Sequence, residues 1–554
     1  MRKLDIEPFD QQHNVANLLC DIAEQFPQKV ALVFQQAGRE QSITFGELWS
    51  AASSCGQGLL DAGFQPADRA IIMIPMSIDL YVSLLAVIKI GGVAVFVDPW
   101  ISAKQIAQFA AFAEPTAYIG IGKSHLLRLF HKRLRGIRIS VTSGRRFWRF
   151  PARYSLDQLR NNRPDSPVQP VQPHDSALIT FTSGSSGEPK GANRTHRFLK
   201  AQHEALSHEF PYELSDVDMP MFPVFALNNL VTGITSVVPE MDFRKVAEVD
   251  GAKIAAQMAK HRVTTVTASP PLIDRVGIQL ENQHSTSPQQ PVRLRRILTG
   301  GAPVTDRQLS NWLEHYPNTE LVVAYGSTEA EPVGHIVAQQ RLALAAPGRG
   351  FCTGQPTSLI ETRIIPIAKN PVDLQSKSLD ELALGVGEIG ELIVSGNHVC
   401  RDYFKNELAT RENKLIDSSG RLWHRMGDTG YFDREGRFWL VGRVHSTIRR
   451  NEEWIHPQLI EQIAMNAVPD LSQIAAIGCP DQNLGEQVVV IAVTEQTVSD
   501  DAGHSIEARI RSALGSAGFP CDQVQVTSVR LQLDPRHSSK IDYAHAREQF
   551  LAGK

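Results

Sequence analysis

The chain has 554 residues, more than one hydrophobic core usually supports, so two or more domains are expected. Its 42% hydrophobic and 21% charged residues are typical of a globular protein, and a net charge of −3 gives no overall attraction to nucleic acid. The six cysteines show no CxxC or Cys/His ligand spacing, so free thiols of a reducing compartment are expected rather than a structural zinc. The start lacks the apolar stretch of a signal peptide, and the nearly apolar run 84–97 is too short to cross a bilayer, which predicts a cytoplasmic protein.

The first 340 residues or so alternate strand-like apolar runs with helical stretches. Runs at 69–74, 94–97, 117–121 and 264–268 predict strands, and residues 79–90 and 252–261 predict helices. This alternation predicts βαβ units, in which helices cover largely parallel sheets. The stretches 160–173 and 281–291, rich in Pro, Gln and Ser, are predicted to be surface loops rather than domain boundaries.

A basic segment begins at Lys123 and ends at Arg149. It holds nine Lys and Arg residues, no acidic residue, and leucines and aromatics at near-helical spacing. Two interpretations remain open. The segment contacts an anionic membrane surface or a multi-enzyme assembly, or it is an ordinary solvated basic helix whose arginines cover apolar surface.

The segment 179–191, ITFTSGSSGEPKG, says most about function. An apolar strand leads into a loop in which glycines allow N–H groups to point inward, hydroxyls add donors and a lysine adds charge, which suits a polyphosphate. Pro189 distinguishes it from the Walker loop, which has glycine before its lysine. A flexible Ser/Gly linker is the alternative. The candidate phosphate-binding residues are Thr182, Ser183, Gly184, Ser185, Ser186, Gly187 and Lys190.

After about residue 340 the pattern changes to short strands separated by glycines. Predicted strands at 361–367, 390–395, 430–433 and 438–441 indicate a β-barrel-like subdomain. From His445 a smaller α+β unit is predicted, with a helix near 458–467 and strands near 473–477 and 488–494. The predicted fold is therefore α/β, with an N-terminal domain of residues 1–442 that contains two helix-covered, mostly parallel sheets, and a small, mobile C-terminal domain of residues 445–554.

Five further motifs follow the phosphate loop in order. They are TGGAPV at 299–304, AYGSTEAEP at 324–332, GEIGELIVSG at 387–396, WHRMGDTGYFDREGRFWLVGR at 423–443 and PRHSSK at 535–540. With these six motifs the chain resembles, along nearly its whole length, the ANL superfamily of adenylate-forming enzymes. The resemblance implies that the protein activates a carboxylic acid with ATP and Mg²⁺, releases pyrophosphate and keeps the acid as an acyl-adenylate.

The resemblance also implies roles for individual residues. Tyr325 would stack on the adenine, Asp428 would bind the ribose hydroxyls and Arg443 would lie at the domain hinge. Glu329 would bind Mg²⁺, which prefers carboxylate oxygen, and Thr328 would contact the phosphate. Lys540 would reach in from the small domain and neutralise charge as the phosphate and carboxylate react. The remaining nucleotide-binding candidates are Gly301, Ala302, Pro303, Gly326 and Ser327.

Two departures from the usual acyl-CoA synthetase pattern bear on the second step. Ala226 stands in PVFALNNL where His or an aromatic residue usually borders the acyl pocket, which predicts a wider pocket. The hinge loop reads GRVHSTIRRNEE, with Ser446 at the usual Asp position and Asn451 and Glu452 in place of two glycines. Less backbone freedom and an added carboxylate both argue against CoA thioester formation. The alternative is a loop that has changed without any change in chemistry.

A closer resemblance explains both departures. The strings at 222–250, 194–196, 421–433 and 534–540 resemble the β-lactone synthetases of bacterial olefin biosynthesis. These enzymes adenylate 2-alkyl-3-hydroxy acids and let the substrate's own hydroxyl displace AMP, so no CoA is needed. His196, Phe225 and Ala226 are the implied substrate-pocket residues. Two alternatives remain: a fatty acyl-CoA or acyl-AMP ligase, and a nucleotide-binding scaffold without catalytic activity.

Overall fold

The structure is a computed structural model that describes residues 13–36, 38–97, 103–144, 152–161, 163–183, 189–284, 292–369, 372, 378–533 and 541–552. Within these residues the strands form four sheets. The two largest are mostly parallel and the other two mostly antiparallel, which confirms the predicted α/β class.

The first sheet has seven strands in the order β7-β6-β5-β3-β4-β8-β9 and is parallel except for the β8–β9 hairpin. Its central strand reads RAIIM, and Ala70, Ile71 and Ile72 are fully buried, as expected for a parallel strand covered on both faces. Its strands are β3 Arg69–Met73, β4 Val93–Phe96, β5 Ala117–Ile121, β6 Ile139–Ser143, β7 Tyr154–Ser155, β8 Ser176–Ser183 and β9 Pro189–Thr195.

The second sheet has eight strands in the order β15-β14-β13-β12-β10-β11-β1-β2, with antiparallel pairs only at its two edges. One apolar cluster joins Leu32 of this sheet to Ile72 of the first, with helical residues between them such as Leu48 and Leu85. The two sheets therefore share a helical layer. The strands are β1 Val30–Gln36, β2 Arg39–Thr44, β10 Val217–Pro220, β11 Thr235–Val237, β12 Thr265–Ala268, β13 Arg296–Thr299, β14 Glu320–Ser327 and β15 Ala330–Val337.

The region predicted to be barrel-like is a six-stranded antiparallel sheet. The C-terminal region forms a five-stranded sheet that is antiparallel apart from the β25–β26 pair. The strands of the third sheet are β16 Phe351–Cys352, β17 Glu361–Ile365, β18 Gly390–Ser395, β19 Lys414–Ile416, β20 Leu422–Phe432 and β21 Phe438–Arg443. Those of the fourth are β22 Ile448–Arg450, β23 Glu453–Ile455, β24 Gln473–Asp481, β25 Gly485–Val493 and β26 Gln523–Thr527.

The helices begin and end where local chemistry favours it. Thr44 and Glu47 form a capping box at the start of α2, and α9 begins with Pro223 and ends before Gly233, whose φ of 81° suits a helix end. The helices are α1 Asn17–Gln25, α2 Phe45–Asp61, α3 Ile78–Lys89, α4 Ala103–Ala113, α5 His125–Phe130, α6 Lys132–Arg135, α7 Leu156–Arg160, α8 His196–Glu209, α9 Pro223–Thr232, α10 Gly251–His261, α11 Pro270–His284, α12 Asp306–His315, α13 Ala338–Leu344, α14 Leu379–Leu382, α15 Glu407–Asn413, α16 Pro457–Ala467, α17 Asp500–Ser516 and α18 Tyr543–Ala552.

Two predicted segments differ from expectation. Residues 281–284 were expected in a loop but complete α11, while 285–291 lie outside the described residues. The basic segment that begins at Lys123 is not one helix, because it forms the short helices α5 and α6 and then enters strand β6. Its last part, residues 145–149, lies outside the described residues. Among the described helices, none combines the length and apolarity needed to cross a membrane.

Candidate active site

The predicted phosphate loop connects the antiparallel strands β8 and β9. Thr182 pairs with Lys190 and Ser183 pairs with Pro189 across the hairpin, so the two ends of the loop are adjacent. Gly184, Ser185, Ser186 and Gly187 lie outside the described residues. The Lys190 ammonium lies 5.8 Å from the centre of the Tyr403 ring, which directs the charge of this loop toward the third sheet.

The motif AYGSTEAEP forms the tight hairpin between β14 and β15. Tyr325, Gly326 and Ser327 end β14, and Thr328 and Glu329 make the turn. A side chain at Gly326 would bring its Cβ within 2.8 Å of the Ala330 carbonyl oxygen, so the turn requires glycine. The Ser327 hydroxyl accepts a hydrogen bond from the Glu329 N–H at 3.2 Å and fixes the turn that carries the carboxylate.

Glu329 is buried and lies among polar groups of the third sheet. The Tyr403 hydroxyl donates to its Oε1 at 2.8 Å. Burial raises the pKa of Glu329, but Lys414 and the hydrogen bond from the Tyr403 hydroxyl hold it below its ordinary value. Burial and Lys414 lower the pKa of His424 to about 3, so its imidazole is neutral near pH 7, and burial also lowers the pKa of Lys414.

One carboxylate with a free oxygen fits the way Mg²⁺ binds in nucleotide enzymes. Tyr403 donates to Oε1 of Glu329, and no side chain among the described residues donates a hydrogen bond to Oε2. The described residues contain no group of three or more His, Cys, Asp or Glu side chains that would bind a metal by themselves. Mg²⁺ commonly takes one or two carboxylates and completes its coordination with substrate phosphates and water. The donor set therefore fits a magnesium ion that arrives with a nucleotide.

Asp428, Tyr325 and Arg443 meet at one carboxylate. The Tyr325 hydroxyl donates to Asp428 Oδ2 at 2.7 Å, and Arg443 Nε lies 2.8 Å from Oδ1. Asp428 and Arg443 face each other in the pairing of β20 and β21. Burial and Asp428 raise the pKa of Tyr325 well above its ordinary value, and Asp428 raises that of Arg443, so both partners keep their protons.

The loop with Gly301, Ala302 and Pro303 follows β13 directly. A Cβ at Gly300 would lie 2.5 Å from the Ala324 carbonyl oxygen, so this loop closely approaches the residue before Tyr325. The structure thus brings together the residues predicted to surround the adenine and ribose. The Tyr325 ring keeps partial exposure and contacts Phe438 at 5.6 Å between centroids, so a face is available for stacking.

The three predicted pocket residues do not all lie together. Phe225 packs against the small apolar cluster that also contacts Ala324, next to the β14–β15 hairpin, and Ala226 is fully buried in the central apolar cluster. His196 is buried at the start of α8, where its Nδ1 accepts a hydrogen bond from the Val15 N–H at 3.1 Å. Its ring therefore contacts the beginning of the described chain.

The hinge loop contains the two residues that stand in place of glycines. Asn451 and Glu452 have φ values of 46° and 67° and form the two-residue turn between β22 and β23. The turn therefore has the left-handed backbone that a pair of glycines favours, although neither residue is glycine. Ser446 donates a hydrogen bond to the Arg443 carbonyl oxygen at 3.1 Å. Lys540 lies outside the described residues.

Sequence reasoning missed the polar residues that surround Glu329. Tyr403 and Lys414 belong to none of the six motifs, and His424 lies in the motif at 423–443 but was given no role. Lys414 and His424 pair directly across β19 and β20. Arg194 belongs to the string at 194–196, but it was given no role of its own. Its Nη2 donates to the Thr328 carbonyl oxygen at 3.0 Å. The available signal was a charged residue at an inward-facing position of a strand, where apolar residues are expected.

Comparisons with known proteins agree with this geometry. The AMP-binding enzyme family matches residues 20–404. The olefin beta-lactone synthetase of Stenotrophomonas maltophilia is 30% identical over 549 residues, covering 95% of this chain and 96% of that protein. The olefin beta-lactone synthetase of Xanthomonas campestris is 30% identical over 538 residues, covering 92% and 94%.

Solved structures show the same fold. The O-succinylbenzoate coenzyme A synthetase of Bacillus subtilis, solved in complex with ATP and magnesium ion, superimposes with a TM-score of 0.75 at 19% identity. The match covers 95% of this chain and 98% of that one. From the family match and the relatives together, the chain belongs to the AMP-binding (ANL) family and is an AMP-forming acid ligase or synthetase.

Proposed function

We propose that this ATP-dependent, adenylate-forming ligase converts long-chain 2-alkyl-3-hydroxy acids into β-lactones. The substrate carboxylate attacks the α-phosphorus of ATP, pyrophosphate leaves, and an acyl-adenylate forms. The 3-hydroxyl oxygen of the same molecule then attacks the acyl carbon. AMP leaves with the electron pair of the acyl–oxygen bond, and the hydroxyl proton passes to solvent. The 30% identity to two olefin beta-lactone synthetases over more than nine-tenths of each chain carries this proposal.

The site residues support the first step. Asp428 presents carboxylate oxygens for the ribose hydroxyls, and the partly exposed Tyr325 ring offers a face for adenine. Residues 182–190 supply N–H groups and the Lys190 charge for the phosphates. Glu329, with the phosphates, would hold Mg²⁺, whose positive charge offsets that of the phosphate oxygens when it is bound. Lys540 is proposed to neutralise charge at the reacting phosphate and carboxylate.

The second step needs no external thiol. A hydroxyl on the third carbon is already held near the activated carbonyl, and intramolecular attack gains a high effective concentration. The small side chain of Ala226 is proposed to leave space for the α-branch of the acid. Glu452, whose side chain is 91% exposed at the hinge turn, adds a negative charge where the phosphates of CoA would approach. We therefore expect CoA to have no effect on the product.

One experiment tests the proposal. The protein is incubated with MgATP and a panel of plain, 3-hydroxy and 2-alkyl-3-hydroxy fatty acids, with and without CoA, and products are identified by mass. A β-lactone with AMP and pyrophosphate, unchanged by CoA, is expected from the 2-alkyl-3-hydroxy acid. Acyl-CoA as the main product from plain acids, with hydroxy acids inert, would establish the acyl-CoA ligase instead. If no acid leads to pyrophosphate release, the remaining alternative is a nucleotide-binding scaffold without catalytic activity.

We also propose that the basic segment contacts an anionic membrane surface, from which a long-chain acid is drawn. The exposed side chains of Lys132, Arg133, Arg135 and Arg138 support this contact. We expect the protein to float with vesicles that contain phosphatidylserine and not with neutral vesicles. Equal recovery with both kinds of vesicle would rule out electrostatic binding.

A further inference from the structure

Arg194 is a buried arginine whose donors are not all satisfied. It lies near the end of β9 and is only 3% exposed. Its Nη2 donates to the Thr328 carbonyl oxygen at 3.0 Å, whereas Nε and Nη1 have no hydrogen-bond partner among the described residues. Burying a charged donor without an acceptor destabilises the protein, so this arrangement calls for a ligand that supplies oxygen atoms.

The surroundings of Arg194 place that ligand in the acid-binding part of the site. Its guanidinium lies 5.6 Å from the ring of Phe198, which belongs to the same apolar cluster as Ala226. Its other neighbour is the turn that carries Thr328 and Glu329, where the nucleotide phosphate is proposed to bind. Arg194 therefore lies between the apolar cluster and the reacting phosphate, which is where the carboxyl end of an acid would be.

Glu331 supplies the complementary acceptor. It lies two residues after Glu329, at the start of β15, and keeps partial exposure. Among the described residues no carboxylate lies within ion-pair distance of Arg194, and Glu331 follows by three residues Thr328, whose carbonyl oxygen accepts from Arg194. The unsatisfied donors of Arg194 and the carboxylate of Glu331 together match a hydroxyl group, which can accept from one and donate to the other.

We infer that Arg194 and Glu331 bind the 3-hydroxyl of the substrate, with Arg194 donating to its oxygen and Glu331 accepting its hydrogen. The inference rests on the proposed function, since it assigns the residues that distinguish a 3-hydroxy acid from a plain one. Both are binding residues for the nucleophile and not for the nucleotide. A site built to hydrogen-bond a hydroxyl discriminates strongly against the analogue that lacks it, because its own polar groups are then left unpaired.

The test compares pairs of acids that differ only in the 3-hydroxyl. Pyrophosphate release gives kcat/KM for each acid, and calorimetry gives the Kd of each free acid without ATP. Wild-type protein is expected to prefer the hydroxy acid in both measurements. In Arg194→Met and Glu331→Gln the kcat/KM for the hydroxy acid is expected to fall by about 10- to 100-fold, with that for the deoxy acid within about 3-fold of wild type, as loss of a charged hydrogen bond implies.

The matched control is Arg197→Met. Arg197 precedes Phe198 in α8 but is exposed, and its Nη2 donates to Asn397 Oδ1 at 3.1 Å. It should leave the preference unchanged. Equal losses for both acids in either site variant, or no preference in the wild type, would overturn the inference. If no acid leads to pyrophosphate release, the proposed function is wrong. The Kd values of the hydroxy and deoxy acids from calorimetry would still decide the role of Arg194. Should Arg194→Met fail to fold, Glu331→Gln carries the test.

Discussion

At the scale of single residues, Asp428 is the group on which nucleotide binding is expected to depend most. Asp428→Ala removes both carboxylate oxygens, which are proposed to accept ground-state hydrogen bonds from the ribose hydroxyls. ATP binding is expected to weaken by about 10-fold or more, measured by calorimetry. Tyr325→Phe is the matched control, because it removes the hydroxyl that donates to Asp428 and keeps the ring, so affinity should change little. Equal weakening in both variants would contradict direct ribose binding by Asp428.

Glu461 makes the stability of the small C-terminal unit depend on pH. Ala476 N–H and the Tyr543 hydroxyl donate to its carboxylate, but burial dominates and raises its pKa to about 7. The unfolded chain releases this proton near pH 4.3. Between these values the folded state binds the proton that the unfolded state has lost, so the free energy of unfolding falls as pH rises and is then constant above about 7.

Glu461→Gln removes this dependence. We expect a higher melting temperature than wild type at pH 8, corresponding to about 1–3 kcal/mol, and little difference at pH 4.5. Thermal melts across this range check the prediction. Glu548→Gln, at an exposed position of α18, is the control and should follow the wild-type profile. A Gln variant that melts lower than wild type at pH 8 would show that the ionised carboxylate stabilises the fold.

At the scale of elements, the hairpin of β22 and β23 is strained at its turn. Both turn residues have left-handed backbone, which Asn451 tolerates and Glu452 does not favour. Glu452→Gly is expected to raise the free energy of unfolding by about 0.5–1 kcal/mol, because the exposed pair of Glu452 with Arg449 contributes little. Asn451→Gly, the control, should be nearly neutral. Loss of stability in Glu452→Gly would mean that the ion pair outweighs the backbone strain. Chemical denaturation measures both.

Elements with a strong local pattern could be predicted from the sequence, and contacts between distant strands could not. Residues 117–121 and 390–395 were predicted with the bounds that the structure shows, because continuous apolar runs end at glycine or polar turns. The partnership of Glu329 with Tyr403 joins positions 74 residues apart, and no local pattern encodes it. The basic segment is not a single helix, because its residues 139–143 form strand β6, which pairs with β5 in the first sheet.

At the scale of the whole molecule, several polar contacts join the proposed domains 1–442 and 445–554 among the described residues. Thr429 Oγ1 lies 3.2 Å from His456 Nδ1, and Lys369 donates to the Thr447 carbonyl oxygen at 3.2 Å. Arg307 Nη1 donates to the Pro469 carbonyl oxygen at 2.7 Å, and the Gly350 N–H donates to Gln462 Oε1 at 3.2 Å. Polar contacts of this kind between domains are compatible with domain rotation. Mobility of the small domain stays a prediction, which scattering measurements with and without an unreactive acyl-adenylate analogue would check.

Lys540→Ala is expected to slow adenylation by about 10²-fold or more and to change ATP affinity little, because its charge acts mainly in the transition state. Stopped-flow pyrophosphate release and calorimetry separate the two quantities. Lys253→Ala, at a half-exposed position paired with Glu240, serves as the control and should match wild type. Weak ATP binding with an unchanged chemical step would reverse the role assigned to Lys540.

The bond between Asp428 and Arg443 has a thermodynamic consequence. Arg443 is the last residue of strand β21, just beyond the proposed domain 1–442, and it shares its acceptor with the proposed ribose site. In this proposal nucleotide and hinge compete for one carboxylate, so the occupancy of the ribose site and the conformation of the hinge are coupled. By reciprocity, any arrangement that frees Asp428 from Arg443 binds ATP more tightly, and ATP favours that arrangement by the same factor. The apparent Kd for ATP therefore depends on the fraction of ligand-free molecules in which Arg443 is separated from Asp428.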